Sequence, residues 1–485
     1  MKFRPSIVLV SLLLLGACVA ASAAANQFRA GAARSNITPP LGQKIVGGFL
    51  PFPCTDVHDE LWARCLVLED GNTRLAIVVC DVLGIMRQVY DEAARQVEEH
   101  TGIPRSHVMM SATHTHSAGS LIGDGEDRYD LGRKLDDYQT FVARRIAEAV
   151  RRAVNNLEPA RIGWTSVDKP EHVFNRRWHL KSGTMPINPF GNRNDVVKMN
   201  PGAGNPNLVK PAGPIDPEVS IVSVQSRDGR PLAVLANYSL HYIGGVQRGA
   251  ISADYFGYFA RQLEDLLGVQ RQEPGFVALL SNGTSGDINN IDFTKRVPRR
   301  PAYEKMKEVG HDIAGAVFEA LKNIPYLDHA PLNARFTELP VQVRHPDPAL
   351  KDRSQKLHDG IKNPAKRTME EIYADRILAL DRLPDRLPIP LQTFRIGGLG
   401  IAAIPNEVLV EIGLELKAKT PFQDAFTHSN AGGYFGYLPT AAQFRLGGYE
   451  AWIGTCWFEE TAAGEIVTEV LRMWRDMAGQ NPPQR

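Results

Sequence analysis

Short continuous apolar runs and longer stretches of helical periodicity alternate along this chain. The runs at 61–68 and 75–82 are mostly apolar, and Asp70-Gly71-Asn72 between them predicts a turn joining two strands. Apolar positions at helical spacing over 88–101 predict an amphipathic helix, stopped by Gly102 and Pro104. A further apolar run begins at Val108, and a long helix is predicted over 135–157. Strands are predicted again at 219–224 and 232–236, around Asp228-Gly229, and at 276–280. Helices are predicted at 255–267 and 302–324. The Pro-, Gly- and Asn-rich segment 183–217 reads as a long ordered loop, and the charged segment 346–386 as a helical excursion on the surface. Strand alternation returns over 391–404 with a turn at Gly397-Gly398. A helix then runs to Lys419, and a last one covers 462–477. No short-period repeat is visible. Strand-helix-strand order predicts an α/β fold of layered mixed β-sheets with packed helices.

Polar residues stand where the apolar runs stop. Val108 to Ala112 leads into His114-Thr-His116. On a strand these imidazoles two residues apart would face one side. Such a pair suits metal ligation or proton transfer, and equally a plain polar strand end. His241, Asp287 and Glu407 follow other apolar runs in the same way, and the carboxyl ends of strands are where α/β sheets gather their sites. Two neutral imidazoles and a carboxylate suit a catalytic Zn²⁺. Alternatively, Glu407 caps its helix and Asp287 bonds turn amides. Gly47-Gly48-Phe49 is a place where backbone can approach another group closely.

Charge narrows the field. Lys and Arg total 55 against 54 Asp and Glu, so no basic field argues for nucleic acid. The start of the chain reads as a targeting segment over 1–25, with Lys2 and Arg4 before an apolar run over 7–15, and 26–485 as one mature unit. Ala21-Ser22-Ala23 fits an ordinary cleavage site. Leu15-Gly16-Ala17-Cys18 resembles a lipobox, which would make Cys18 a lipidated first residue and a membrane anchor, and is the favoured reading. Either way the expectation is export, to the periplasm, the outer membrane or the medium. Cys54, Cys65, Cys80 and Cys456 form no CxxC; Cys65 and Cys80 sit in strand-like runs and are expected as buried thiols. There is no Gly-x-Ser-x-Gly elbow, P-loop or dinucleotide fingerprint, and Ser117 and Ser285 near the proposed site are read as turn residues.

Several motifs fall in register with one family. Thr113-His-Thr-His-Ser117 resembles the signature of the neutral/alkaline (non-lysosomal) ceramidases. So do Asn175-Arg176, His241 followed by Ser252-Ala-Asp254 and Gly257-Tyr258, Gly286-Asp287, Ile404-Pro-Asn-Glu407, and Tyr437 with Tyr449-Glu450. The likeness runs from about residue 28 to 450. It implies a ceramidase N-terminal-domain-like fold and one Zn²⁺ held by His114, His241, Glu407 and Tyr437. It also implies His116, Arg176, Tyr449 and backbone near Gly48 lining a head-group site, and hydrolysis of an N-acyl amide, in ceramide or a related N-acylated lipid. His116, Tyr437 and Asp287 would then assist the chemistry.

Departures from the family pattern are specific. Asn289 stands where the family has a serine, Arg177 replaces a serine and adds a charge near the head group, and Thr440-Ala-Ala-Gln-Phe444 is less polar than its counterpart. Asn289 is expected beside the substrate, where it can hydrogen-bond but cannot be acylated. A metal-dependent hydrolase of another small amide, or a non-catalytic lipid- or glycan-binding relative, are the alternatives.

Overall fold

The computed structural model describes residues 27–71, 73–296 and 298–479. The targeting segment, with Cys18, lies outside the described residues.

Eight strands form the principal sheet: β1 (Phe28–Asn36), β2 (Trp62–Asp70), β3 (Thr73–Cys80), β4 (Val108–Ala112), β5 (Glu158–Asp168), β6 (Glu218–Ser226), β7 (Pro231–Tyr238) and β8 (Val277–Asn282). Their spatial order is β8-β7-β6-β5-β1-β2-β3-β4. The sheet is two halves of one topology. In each, three antiparallel strands are followed by a helix that crosses to a fourth, parallel strand. The crossover helices are α1 (Arg87–Thr101) and α3 (Asp254–Leu267), and α2 (Asp137–Asn155) and α4 (Glu304–Leu321) follow each half. This repeat escapes a short-period search because it is one of topology. The halves meet through only two register pairs, Arg29↔Pro159 and Ala30↔Glu158. That narrow seam lets the sheet fold over until its two edges touch, with Asn282 Nδ2 donating to the Thr113 carbonyl at 3.3 Å.

A second sheet comprises β9 (Leu332–Gln342), β10 (Arg386–Ile396), β11 (Leu399–Ala403) and β12 (Asp424–His428), in that order. Alternation along the strands sorts the core into layers. Cys65 and Val67 point toward α1 and α2, whereas Leu66 and Leu68 point toward Phe394, Ile401 and Phe426 of the second sheet. Burial on both faces explains why these strands read as unbroken apolar runs. The second sheet's far face packs on α6 (Met369–Asp381), α7 (Val410–Lys419) and α8 (Ala462–Gly479), with α5 (Pro348–Asp359) preceding them. The molecule is therefore a four-layer α/β/β/α sandwich. Among the described residues no helix is long and apolar enough to cross a membrane.

Two sequence expectations are corrected. The segment 183–217 is not only loop: Val197–Met199 and Leu208–Pro211 flank Arg177–Leu180 in a three-stranded sheet. The segment 346–386 is not a surface excursion, because α6 buries Ile372, Tyr373, Ala374 and Ile377 and with them the charged Asp375 and Arg376. Its charges suggested solvent, but Asp375 is spoken for by Arg367 and His358. The four described cysteines are free and buried.

Candidate metal and substrate site

The carboxyl ends of the parallel strand pairs bring the expected side chains together. β4 stops at Ala112, and backbone bonds from Thr113 N to Cys80 O (2.9 Å) and from His114 N to Val82 O (3.0 Å) end the strand. His114 then adopts φ 68°, in the left-handed region. Strand alternation is therefore not what aligns the two imidazoles. A strained turn brings His116 Nε2 to 3.2 Å from His114 Nε2, and such strain in a non-glycine residue concentrates at functional sites. Gly47 permits the return of the chain, since a Cβ there would lie 2.1 Å from the His116 carbonyl oxygen. Gly48, the expected close approach, faces open space. His116 is half-buried and stacks on Tyr242, with ring centroids 3.6 Å apart.

His241 follows β7 and completes a cluster whose ligand atoms, one each from His114, His116 and His241, lie within 4.8 Å of one another and could hold a metal ion. The second sheet contributes Glu407. Its Oε2 is buried without a hydrogen-bond partner, 3.2 Å from His114 Nε2 and 3.7 Å from His241 Nε2. The backs of the two imidazoles are occupied: His114 Nδ1 bonds the Leu83 carbonyl at 2.7 Å and His241 Nδ1 the Ser285 carbonyl at 3.0 Å. A carbonyl partner requires the proton on Nδ1, so both Nε2 lone pairs face the Glu407 oxygen. Two lone pairs and a carboxylate oxygen with no proton between them are a donor set that a divalent cation fits. Glu407 does not cap α7, whose N-cap is Leu409.

Burial pushes His116 and His241 well below the ordinary imidazole range, and neighbouring His114 and Arg176 add to the effect. Burial alone would raise Glu407; His114, His241 and Tyr437 outweigh it and hold the carboxylate ionised. His116 and His241 are thus neutral beside an ionised carboxylate, protonation states that ligation needs. Its other oxygen, Oε1, accepts from the Tyr434 hydroxyl at 2.7 Å.

Tyr437 pairs with Glu407 across a short parallel bridge, and its hydroxyl accepts from Arg176 Nη2 at 3.0 Å. Arg176 in turn donates Nε to Glu450 (2.9 Å), which also takes Arg177 Nη1 (2.7 Å). Tyr449 packs edge-on against Tyr437 and against Phe49. The site residues expected from the sequence therefore converge, with exceptions. Asp287 is fully buried and its oxygens are engaged elsewhere: Oδ1 accepts from Val410 N at the start of α7 and Oδ2 from Asn175 Nδ2. Burial raises it to about 6. Its setting is that of a bracket holding a loop to a helix end. Asn289 lies in a short strand opposite Phe174 and donates to Asn200 Oδ1 at 3.0 Å. Arg177 does not add a charge to the head-group site, because it is fully buried and bound to Glu450, the side chain and carbonyl of Gln443 and the Gly447 carbonyl. Sequence reasoning missed Tyr434, Tyr242, Gln443 and Glu450. Only Glu450 carried a signal, as the carboxylate that adjoins Tyr449.

The description "neutral/alkaline non-lysosomal ceramidase, N-terminal" matches residues 28–293, more than half the chain. The chain belongs to the neutral/alkaline non-lysosomal ceramidase family. A neutral ceramidase of Pseudomonas aeruginosa is 22% identical over 507 residues, covering 91% of this chain and 71% of that protein. A solved ceramidase complexed with C2 superposes with TM-score 0.70 at 17% identity, over 95% of this chain and 76% of that one. The crystal structure of the Pseudomonas aeruginosa neutral ceramidase gives 0.68 at 18%, over 94% and 75%. These ceramidase structures share the layered α/β fold.

Proposed function

We propose that the protein is a zinc-dependent amidohydrolase that cleaves the N-acyl amide bond of ceramide or a related N-acylated lipid. The observation that carries the reading is the Glu407 oxygen, buried and unbonded, with two Nε2 lone pairs directed at it. His114, His241 and Glu407, with Tyr437 as the family pattern suggests, would hold Zn²⁺. That ion supplies Lewis acidity toward a carbonyl oxygen and activates water near neutral pH.

The chain's own residues account for the rest. Tyr434 and the two backbone carbonyls fix the rotamers of the ligands. Arg176 donates to the Tyr437 oxygen, which fixes the phenol and turns its proton away from the guanidinium. His116, half-buried and held flat by Tyr242, is placed to carry a proton to the departing amine. Asn289 favours a second reading, hydrolysis of a different small amide, because its amide is tied to Asn200 rather than offering a hydroxyl. The charged-then-apolar segment at 1–25 supports an exported protein, anchored through Cys18 if the lipobox is used; labelling with a radioactive fatty acid tests the anchor.

Metal analysis of the purified protein should give about one zinc per chain and His114→Ala should lose it, with hydrolysis of N-acyl substrates lost in parallel. Turnover that survives complete removal of metal would end the proposal.

A further inference from the structure

Arg376 sits on α6 at 7% exposure, and among the described residues no carboxylate, carbonyl or hydroxyl takes a hydrogen bond or ion pair from it. Its guanidinium instead lies over two aromatic rings, 5.4 Å from the centroid of Phe49 and 5.2 Å from that of Tyr373. Other buried arginines near the site are satisfied: Arg176 and Arg177 share Glu450. Arg376 has no acceptor among the described residues, yet none of its nitrogens is sealed from solvent, and the ring faces beneath it offset only part of the cost of its near burial. Proteins keep such groups where a ligand supplies the missing partner.

The position is informative. Phe49 follows Gly48 and packs on Tyr449, which packs on Tyr437 beside Glu407. Gly454, at φ 88°, lets α6 come this close, since a Cβ there would be 2.9 Å from that of Arg376. The guanidinium is thus linked by two aromatic contacts to the tyrosine at the imidazole cluster, on the side where the head-group residues gather.

We propose that Arg376 is a specificity-determining residue that binds an oxyanion on the amine portion of the substrate. The substrate class is then an N-acyl amide whose amine half carries a carboxylate or sulfonate, rather than a neutral head group. The planar fork of arginine fits either oxyanion through two parallel hydrogen bonds. This inference rests on the N-acyl hydrolysis reading for its meaning but not for its test.

The zinc-loaded protein and its Arg376→Met and Arg376→Lys variants are assayed on N-dodecanoyl glycine, N-dodecanoyl taurine and the neutral N-dodecanoyl ethanolamine. The parent should favour at least one anionic amide over the ethanolamide by about 100-fold in kcat/KM, as expected where a buried polar group would otherwise be left unpaired; which anion wins distinguishes carboxylate from sulfonate. Arg376→Met should erase that preference, with little change in melting temperature because no hydrogen bond or ion pair among the described residues is lost with it. Arg376→Lys should retain part of it. A parent that prefers the ethanolamide, or an equal loss on all three amides, overturns the inference. If no amide is cleaved, the hydrolysis reading falls, and calorimetric binding of the same three compounds decides the anion site. Tighter binding of an anionic amide that Arg376→Met abolishes upholds it, and equal binding of all three overturns it.

Discussion

Glu450→Ala removes the carboxylate shared by Arg176 and Arg177. Glu450 is fully buried, and its two oxygens accept one guanidinium each, at 2.9 and 2.7 Å. Charge-assisted hydrogen bonds contribute about 1.5–3 kcal/mol apiece, and breaking a buried ion pair by deleting one partner costs about 3–5 kcal/mol. Arg177 keeps Gln443 Oε1 and the carbonyls of Gln443 and Gly447, and Arg176 keeps the Tyr437 hydroxyl. Those remaining acceptors place the expected loss at the lower end, about 3 kcal/mol. Unfolding entropy grows with chain length, so in a domain of this size each kcal/mol moves Tm by about 1–2 °C, and the variant should melt about 3–6 °C lower. Urea unfolding and calorimetry measure both quantities. Arg177→Met placed on top of Glu450→Ala should recover about 1–2 kcal/mol by removing one uncompensated cation. A single variant within about 1 kcal/mol of the parent, or a double variant less stable than the single, would refute the assignment of this triad as the clamp behind Tyr437.

Other outcomes follow from the same geometry. Gly47→Ala should lower hydrolytic activity at least about tenfold with little change in metal content, because the new Cβ displaces the His116 backbone and not His114 or His241; steady-state kinetics beside metal analysis checks the split. Glu407→Gln should weaken zinc binding about 10–100-fold or more, read by competition with a chromogenic chelator, since the amide brings no negative charge to the two imidazoles. Asp254, which accepts from the backbone of Ile243, Gly244 and Tyr255, is raised by burial from 3.8 to about 6. Its native-state pKa exceeds its unfolded one, so the stability it contributes is full below about pH 4 and is lost as pH rises through about 6. Relative to Asp254→Asn, the parent should therefore lose about 3 kcal/mol between those limits, and parallel urea titrations that show no such convergence would remove the assignment.

The sequence foretold most of the elements because burial on both sheet faces leaves unbroken apolar runs, and turns such as Asp228-Gly229 punctuate them. It singled out His114, His241 and Glu407 because each ends such a run, and the folded chain brings the three side chains together. It misread α6 because Arg376 and Asp375 look like solvent-facing charges when listed in one dimension; only the folded chain shows Arg367 and His358 beside Asp375 and rings beneath Arg376. Arg177 failed for the same reason, its counter-charge lying 273 residues away. Tyr434 was one tyrosine among several in a Gly-rich stretch, and nothing local marked it as the residue that holds Glu407. The equivalence of the two sheet halves went unseen because strand order and direction leave no mark at a fixed sequence interval.

That two-part sheet has a consequence for how the protein comes to life. The first half brings His114 and His116, the second brings His241, and Glu407 arrives with a sheet synthesised later still. A nascent chain that has emerged only as far as either half holds at most a fragment of the donor set. Hydrolytic competence is thereby withheld until nearly the whole polypeptide has been assembled, and a truncated or half-docked product would be inert toward whatever lipids it met on the way.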